Sequence, residues 1–189
     1  MSDGRFEIAD TPIAGLKRVS RRRIGDERGF LSRLYCANDL AAAGFTAPVV
    51  QINHTLTQAK GTIRGMHFQH APRAEDKFVS CLRGEVLDVA VDLRDGSTTF
   101  LHWHGERLSA DNGVSLFIPR GFAHGFQTLS EDCELLYLHT APYDRGSEGG
   151  VNPLDPRLTI DWPLPITEMS ERDRRHPLLA DADFIGIQL

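Results

Sequence analysis

The chain reads as an all-β protein, a sandwich or barrel of short strands with small peripheral helices. From Val49 onward short apolar stretches recur, VVQINHTLT, TIRGMHF, KFVSCLR, EVLDVAVDLR, FLHWHGERL, VSLFIP, FAHGFQTL and CELLYLHT, each cut off by Gly, Pro, Asp, Asn or Ser turns. Within them, EVLDVAVDLR alternates Val86, Asp88, Ala90 and Asp92 against Leu87, Val89, Val91 and Leu93. That is the period of two of a pleated strand, and it predicts one packed apolar face and one face carrying two carboxylates. Helix punctuation, by contrast, is clear at only one early place. With 189 residues and 41% hydrophobic content, the chain suits one domain, 1–189, around a sizeable core.

Taken in order, residues 1–28 alternate short apolar pieces with polar ones, which suits one or two edge strands and arms that reach a neighbouring chain. Gly25 to Gly29 is a turn, and FLSRLY after it is a strand. Asn38 to Ala43 is a short helix, with Asn38 as its cap and Gly44 as its stop. The strand-rich region then runs to Tyr143. After it come the loop-rich DRGSEGGVNPLDP, a tightening from Leu158 to Pro163, and SERDRRHP, which suits one or two helical turns. Residues 177–189 form a tail without strong pattern, and no internal repeat stands out.

Composition excludes several function classes. The net charge of -5 is mild and no basic block dominates, although KRVSRRR (Lys17 to Arg23) is a local cluster that could face an anion, so nucleic acid is not the expected partner. Three cysteines, Cys36, Cys81 and Cys133, lie far apart in apolar runs, as buried thiols of a reducing compartment do, and the expected location is the cytoplasm. MSDGRFEIAD lacks the apolar run of a signal peptide, and no stretch approaches the roughly 18 apolar residues of a membrane span.

Two motifs carry chemistry. Gly113, Pro119, Gly121 and His124 fit G-x5-P-x-G-x2-H, a spacing typical of cupin jelly-roll barrels, whose inner faces hold a site. The opening cupin motif is only half present: Gly61 and His67 fit, but Gln69 stands at the second histidine and Lys77 at the carboxylate. Of the metal ligands such a motif supplies, only His67 and His124 remain, and a lysine ammonium among them repels a cation. The expected cavity is therefore metal-free, with an imidazole that moves protons and an ammonium that stabilises developing negative charge.

Each residue also has a plainer reading. His67 alone is as well explained as a satisfied core histidine; it gains weight because His124 converges on the same cavity in that fold. A strict period of two puts Arg64 and His67 on opposite faces unless Gly65 permits a bulge. Lys77 is either a solvated lysine paired with Glu75 or Asp76, or an inward ammonium. Tyr137 and Tyr143 bond something locally or, facing a base across a sugar ring, return a proton. Arg28 and Arg64 are solvated charges or a diphosphate clamp. Asp173 completes a capping box with Ser170, or bonds the far nitrogen of His67 and fixes its tautomer; Arg172 beside it is counted with the substrate-binding set. His70 gains no support of the kind His124 lends His67, and His54, His102, His104 and His139 are expected at the surface or on edges.

Taken together, DERGF, QINHT, GTIRGMHFQ, DKFV, GEVLDVAVDLRDGSTTF, IPRGFAHGF, TLSE, YLHTAPY and DPRLTIDWPL resemble the dTDP-4-dehydrorhamnose 3,5-epimerase family over about residues 24–175. The resemblance implies a cofactor-free and metal-free cupin homodimer with exchanged N-terminal strands. It implies epimerisation of a nucleotide-diphospho-4-keto-6-deoxy sugar at C3, C5 or both, in bacterial cell-surface or secondary-metabolite sugar synthesis. It further implies His67 as base supported by Asp173, Tyr137 as acid, Lys77 at the enolate and Arg28 and Arg64 at the diphosphate, with Gln51, Asn53, His124 and Tyr143 lining the pocket. One departure stands out. Relatives carry an aromatic and a glutamate framing the thymine where this chain has Leu31 and Arg33, which predicts a different or loosely held base. The rival readings are a metal-dependent cupin, a monoepimerase on another nucleotide sugar and a catalytically silent sugar-nucleotide-binding cupin.

Overall fold

Two antiparallel sheets face each other in a jelly roll. The computed structural model describes residues 4–179 and 184–189, so 180–183 of the expected tail lie outside the described residues. The strands are β1 (Phe6–Asp10), β2 (Lys17–Arg21), β3 (Arg23–Asp26), β4 (Gly29–Ser32), β5 (Gln51–Thr57), β6 (Ile63–Gln69), β7 (Lys77–Arg83), β8 (Glu85–Asp92), β9 (Trp103–Ser109), β10 (Val114–Ile118), β11 (Phe122–Thr128), β12 (Cys133–His139) and β13 (Glu148–Gly150). Short helices α1 (Ala37–Leu40) and α2 (Glu171–Arg174) lie at the periphery. One sheet runs β1-β2-β10-β7-β12-β5, the other β13-β6-β11-β8-β9, and β3-β4 is a separate hairpin. Among the described residues no helix is long and apolar enough to cross a membrane.

The inner faces meet over Val79, Cys81, Leu116 and Leu135 from the first sheet and Val86, Ala90, Leu108, Phe122 and Phe126 from the second. Outside the second sheet, Met66, Val89 and Val91 are covered by Val151, Leu158, Leu179 and Ile187 of the C-terminal segment. Outside the first, Phe78, Phe117 and Leu138 are covered by Leu40, Ala43 and Phe45. Each of the larger side chains among them, the Val, Leu, Ile, Met and Phe, contributes about 1.5–3 kcal/mol on moving from water into the core, which ties the outer coverings to the barrel. Covering on both sides also explains β8: Asp88 and Asp92 sit on the face opposite Val89 and Val91, and both are fully buried. Asp92 accepts hydrogen bonds from Arg94, Ser97 and Thr99, anchoring the β8–β9 loop.

Local departures from the expected elements have physical causes. The early helix begins one residue sooner, with Cys36 at the cap position and no side-chain cap bond. Asn38 is therefore inside the first turn, while Asp39 there pairs with Arg33 at 3.0 Å. A 3-10 turn over Ala41–Ala43 follows and Gly44 ends it at φ 96°, as expected of the one residue type without a Cβ. The FLHWHGERL stretch starts its strand only at Trp103. Phe100 and His102 instead donate to Ser97 and Thr99 in the loop that Asp92 organises.

Candidate active site

The site begins with a break in β6. His67 pairs with His124 and Arg64 with Phe126, so β6 spends three steps where β11 spends two. The extra residue is the bulge that brings Arg64 and His67 onto one cavity despite their odd spacing. Only glycine permits it: Gly65 has φ 128°, and a Cβ there would stand 2.5 Å from the Cα of Gly125. The inner chamber, about 310 Å³, is lined by Asn53, Arg64, His67, Lys77, His124 and Tyr137 among others. An outer groove of about 680 Å³, lined by Thr167–Ser170 and α2, shares Arg64, His67 and Arg172 with it.

On the β6 wall, His67 Nε2 lies 2.8 Å from the Asp173 carboxylate. Asp173 needs a donor there, so Nε2 carries the proton and Nδ1 is left as the basic nitrogen. The Arg172 guanidinium, 3.1 Å from Nε2, therefore flanks the ring rather than donating to it, and bonds Glu148 at 2.9 Å. Of the two roles foreseen for it, Asp173 takes the bond to His67, and no capping box is completed. Its N–H donates to Ser170 Oγ, but its carboxylate reaches Gly65 N–H and His67 instead of the cap residue's N–H. Burial pushes the Asp173 carboxyl up, and the bond and charge of His67, with the Gly65 and Ser170 bonds, more than reverse that and hold it below its ordinary value.

On the facing wall, Lys77 is buried in an ion pair with Glu75 at 3.2 Å, and its Nζ also donates to the His67 carbonyl. The lysine keeps the Glu75 pairing of the plainer reading but is buried rather than solvated. Tyr137 packs edge-on to His124, with ring centres 6.0 Å apart. Burial first, then the negative Asp88, raises the pKa of its phenol, so the O–H stays protonated. His124 Nε2 is fixed by Asp88 at 2.7 Å. Gln69 is a latch rather than a ligand: its amide donates to the Arg73 and Pro142 carbonyls and accepts from Asp144 N–H.

Other expected residues lie at the rim or away from it. Asn53 lines the chamber, while Gln51 holds the rim by accepting from Tyr143 N–H and donating to Asn53. Tyr143 is exposed and bonds Glu148. Arg28 is not in the cavity of its own chain. It tips the β3–β4 hairpin, 87% exposed and paired with Asp26 two residues back, because the tight turn at Gly29 points it outward.

Two site residues escaped the sequence reading. His139, expected at the surface, is buried in the chamber wall, its Nδ1 2.9 Å from Glu75. The period of two from Tyr137 was the available signal. His176, three residues after Asp173, stacks edge-on to His67 at 5.6 Å. Burial first, then the neighbouring His67, lowers its pKa. His67, Asp173 and His176 offer ligand atoms within 4.8 Å of one another, though the Arg172 guanidinium beside them opposes a cation.

A jelly-roll barrel whose inner wall carries a carboxylate-held imidazole, a buried ammonium and a protonated phenol defines a cupin-type enzyme. The comparisons name the kind. The family model described as dTDP-4-dehydrorhamnose 3,5-epimerase matches residues 10–181. A dTDP-4-dehydrorhamnose 3,5-epimerase of Pseudomonas aeruginosa is 46% identical over 164 residues, 86% of this chain and 90% of that protein. A dTDP-4-dehydrorhamnose 3-epimerase of Streptomyces niveus is 38% identical over 93% of this chain and 84% of its own length. A solved dTDP-6-deoxy-D-glucose-3,5-epimerase from Legionella pneumophila, in complex with dTDP-4-keto-L-rhamnose, superposes with TM-score 0.89 at 42% identity, covering 94% of this chain and 95% of that one. The chain belongs to the dTDP-4-dehydrorhamnose 3,5-epimerase family, a family of isomerases.

Proposed function

We propose that the protein epimerises a nucleotide-diphospho-4-keto-6-deoxy sugar, a dTDP-linked one in the first instance, at C3, C5 or both. The observation that carries this is His67, its Nε2 tied to Asp173 at 2.8 Å, in a chamber it shares with Lys77 and Tyr137. The ketone at C4 acidifies the hydrogens on C3 and C5. Nδ1 of His67 takes one of them, the electron pair moves to the C4 oxygen, and the Lys77 ammonium stabilises the enolate. Tyr137 then donates its phenolic proton to the opposite face of the carbon, which inverts the centre. Arg64 and Arg172, at the junction of chamber and groove, suit the diphosphate between sugar and base.

Arg28 enters through a second chain. Ile24, Phe30 and Leu31 of the hairpin are 44%, 61% and 61% exposed, and Ile52 and Leu56 on the edge strand β5 are also bare. A two-stranded ribbon with that much apolar surface needs a partner. A homodimer that covers it would carry Arg28 toward the other subunit's groove. Three free cysteines, two of them buried with the Cys81 thiol pushed up to about 12 by burial, fit a reducing cytoplasm.

The deciding experiment incubates the protein with dTDP-4-keto-6-deoxyglucose in D2O and follows by NMR which carbons take up deuterium and which invert. Deuterium entry at C3 or C5 with inversion is the expected result. Tight binding without exchange would favour the silent binding protein, and activity lost on metal removal would favour the metal-dependent cupin.

A further inference from the structure

We infer that Glu75 and His139 are positioning residues that tie the enolate-stabilising ammonium to the amides at the mouth of the site. The inference rests on the epimerase reading and adds residues to it. The hydrogen bonds form one chain that runs from Tyr143 to Glu75 and is met there from the other side by Lys77. Tyr143 N–H donates to Gln51 Oε1 at 2.9 Å, Gln51 Nε2 to Asn53 Oδ1 at 3.2 Å and Asn53 Nδ2 to His139 Nε2 at 3.4 Å. His139 Nδ1 then donates to Glu75 Oε2 at 2.9 Å, while the other oxygen of the same carboxylate accepts from Lys77 Nζ at 3.2 Å. Lys77 ends the chain on the His67 carbonyl at 3.3 Å.

Every donor in this chain faces an acceptor, and the directions are forced from one end. Glu75 is a carboxylate that accepts only, so His139 presents Nδ1–H to it and keeps Nε2 as an acceptor for Asn53. That fixes the Asn53 amide, which fixes Gln51, which holds the backbone at Tyr143. Glu75 is 8% exposed, and burial would raise its pKa, but His139 and Lys77 more than offset this and keep it a carboxylate. Two of the three donors of Lys77 are taken by protein groups, leaving one free to aim into the chamber. The stack of His139 on Tyr137, centres 6.1 Å apart and 18° between planes, extends the same framework to the phenol. Glu75 and His139 touch the reacting atoms only through Lys77, Asn53 and Tyr137.

The test combines kinetics with a readout independent of turnover. Glu75→Gln keeps the shape and removes the charge. It is expected to slow deuterium entry from D2O by roughly 10²-fold, the cost of a slightly misplaced catalytic group, with KM unchanged. Because Glu75 acts through Lys77, the double variant Glu75→Gln, Lys77→Met should exchange no more slowly than Lys77→Met alone. In 15N-histidine spectra His139 should be the Nδ1–H tautomer in the native protein and shift toward Nε2–H in Glu75→Ala. Native exchange in Glu75→Gln, effects that multiply in the double variant, or a native Nε2–H tautomer would each overturn the inference. If the native protein exchanges no 4-keto sugar nucleotide, the epimerase reading fails, and the tautomer measurement still decides whether Glu75 directs His139.

Discussion

The barrel cavity and the β3–β4 hairpin are opposite cases. In the cavity both motif histidines are held by buried carboxylates: His67 by Asp173, itself held by Gly65 and Ser170, and His124 by Asp88. In the hairpin all of β3 and most of β4 are exposed, and among the described residues Arg28 pairs only with Asp26. The first region is complete within one chain. The second leaves Phe30 and Leu31 bare. On the proposed reading the contrast separates two tasks: chemistry at the sugar carbon falls to the barrel cavity, and grip on the distant nucleotide to the hairpin.

Breaking the cavity should have the largest effect. His67→Ala is expected to lower deuterium entry by roughly 10⁴-fold, the upper range of a general base. Native exchange in that variant would move the base elsewhere. Asp173→Asn keeps the volume but offers an amide where a carboxylate fixed the tautomer, and up to about 10⁴-fold loss is the precedent for such a change. Asp173 also has a pH signature. Its folded pKa is depressed, so its contribution to stability is present above its unfolded value near 4 and fades as pH falls through the lower folded value. Acid unfolding monitored by circular dichroism should lose this component in Asp173→Asn; identical acid profiles would remove the linkage.

Tyr137→Phe divides the cavity's work. The base and the ammonium remain, so exchange should persist at a reduced rate while inversion at one centre or both stops, as NMR of the product would show. If inversion proceeds at the native rate, another group supplies the proton.

How much of this was legible beforehand follows the same division. The strands from β5 to β12 announced themselves because a face packed at a period of two leaves its mark residue by residue, and KFVSCLR matches β7 from Lys77 to Arg83. His67 and His124 were found by motif spacing, and their pairing across β6 and β11 brings them together. The joint position of Arg64 and His67 was conditional on a bulge that Gly65 permits but does not by itself announce. His139 was missed because histidine carries little burial signal alone; its partner Glu75 lies 64 positions away and is brought near by sheet pairing. Arg28, expected at the diphosphate, lies instead at the exposed tip of the β3–β4 hairpin, a position that the local sequence does not reveal.

The smallest expected effects sit in the hairpin, and they sharpen the contrast most. Arg28→Ala removes a charge-assisted contact of about 1.5–3 kcal/mol if the hairpin reaches the nucleotide diphosphate, which raises KM on the order of 10- to 100-fold at unchanged kcat. Dilution below the dimer dissociation constant should mimic that loss, and sedimentation with parallel kinetics checks whether KM and dimer fraction move together. Base recognition should change less still. Leu31 offers no ring to stack on a base, and Arg33 is drawn away by Asp39 at 3.0 Å, so neither is free to read the edge of thymine. The ratio of kcat/KM between dTDP- and CDP- or GDP-linked 4-keto sugars should therefore stay within about tenfold, well short of the discrimination of a site built to hydrogen-bond its substrate. A strict preference for dTDP would mean that the base is read by residues of the barrel instead, and the division between a chemical interior and a gripping hairpin would have to be redrawn.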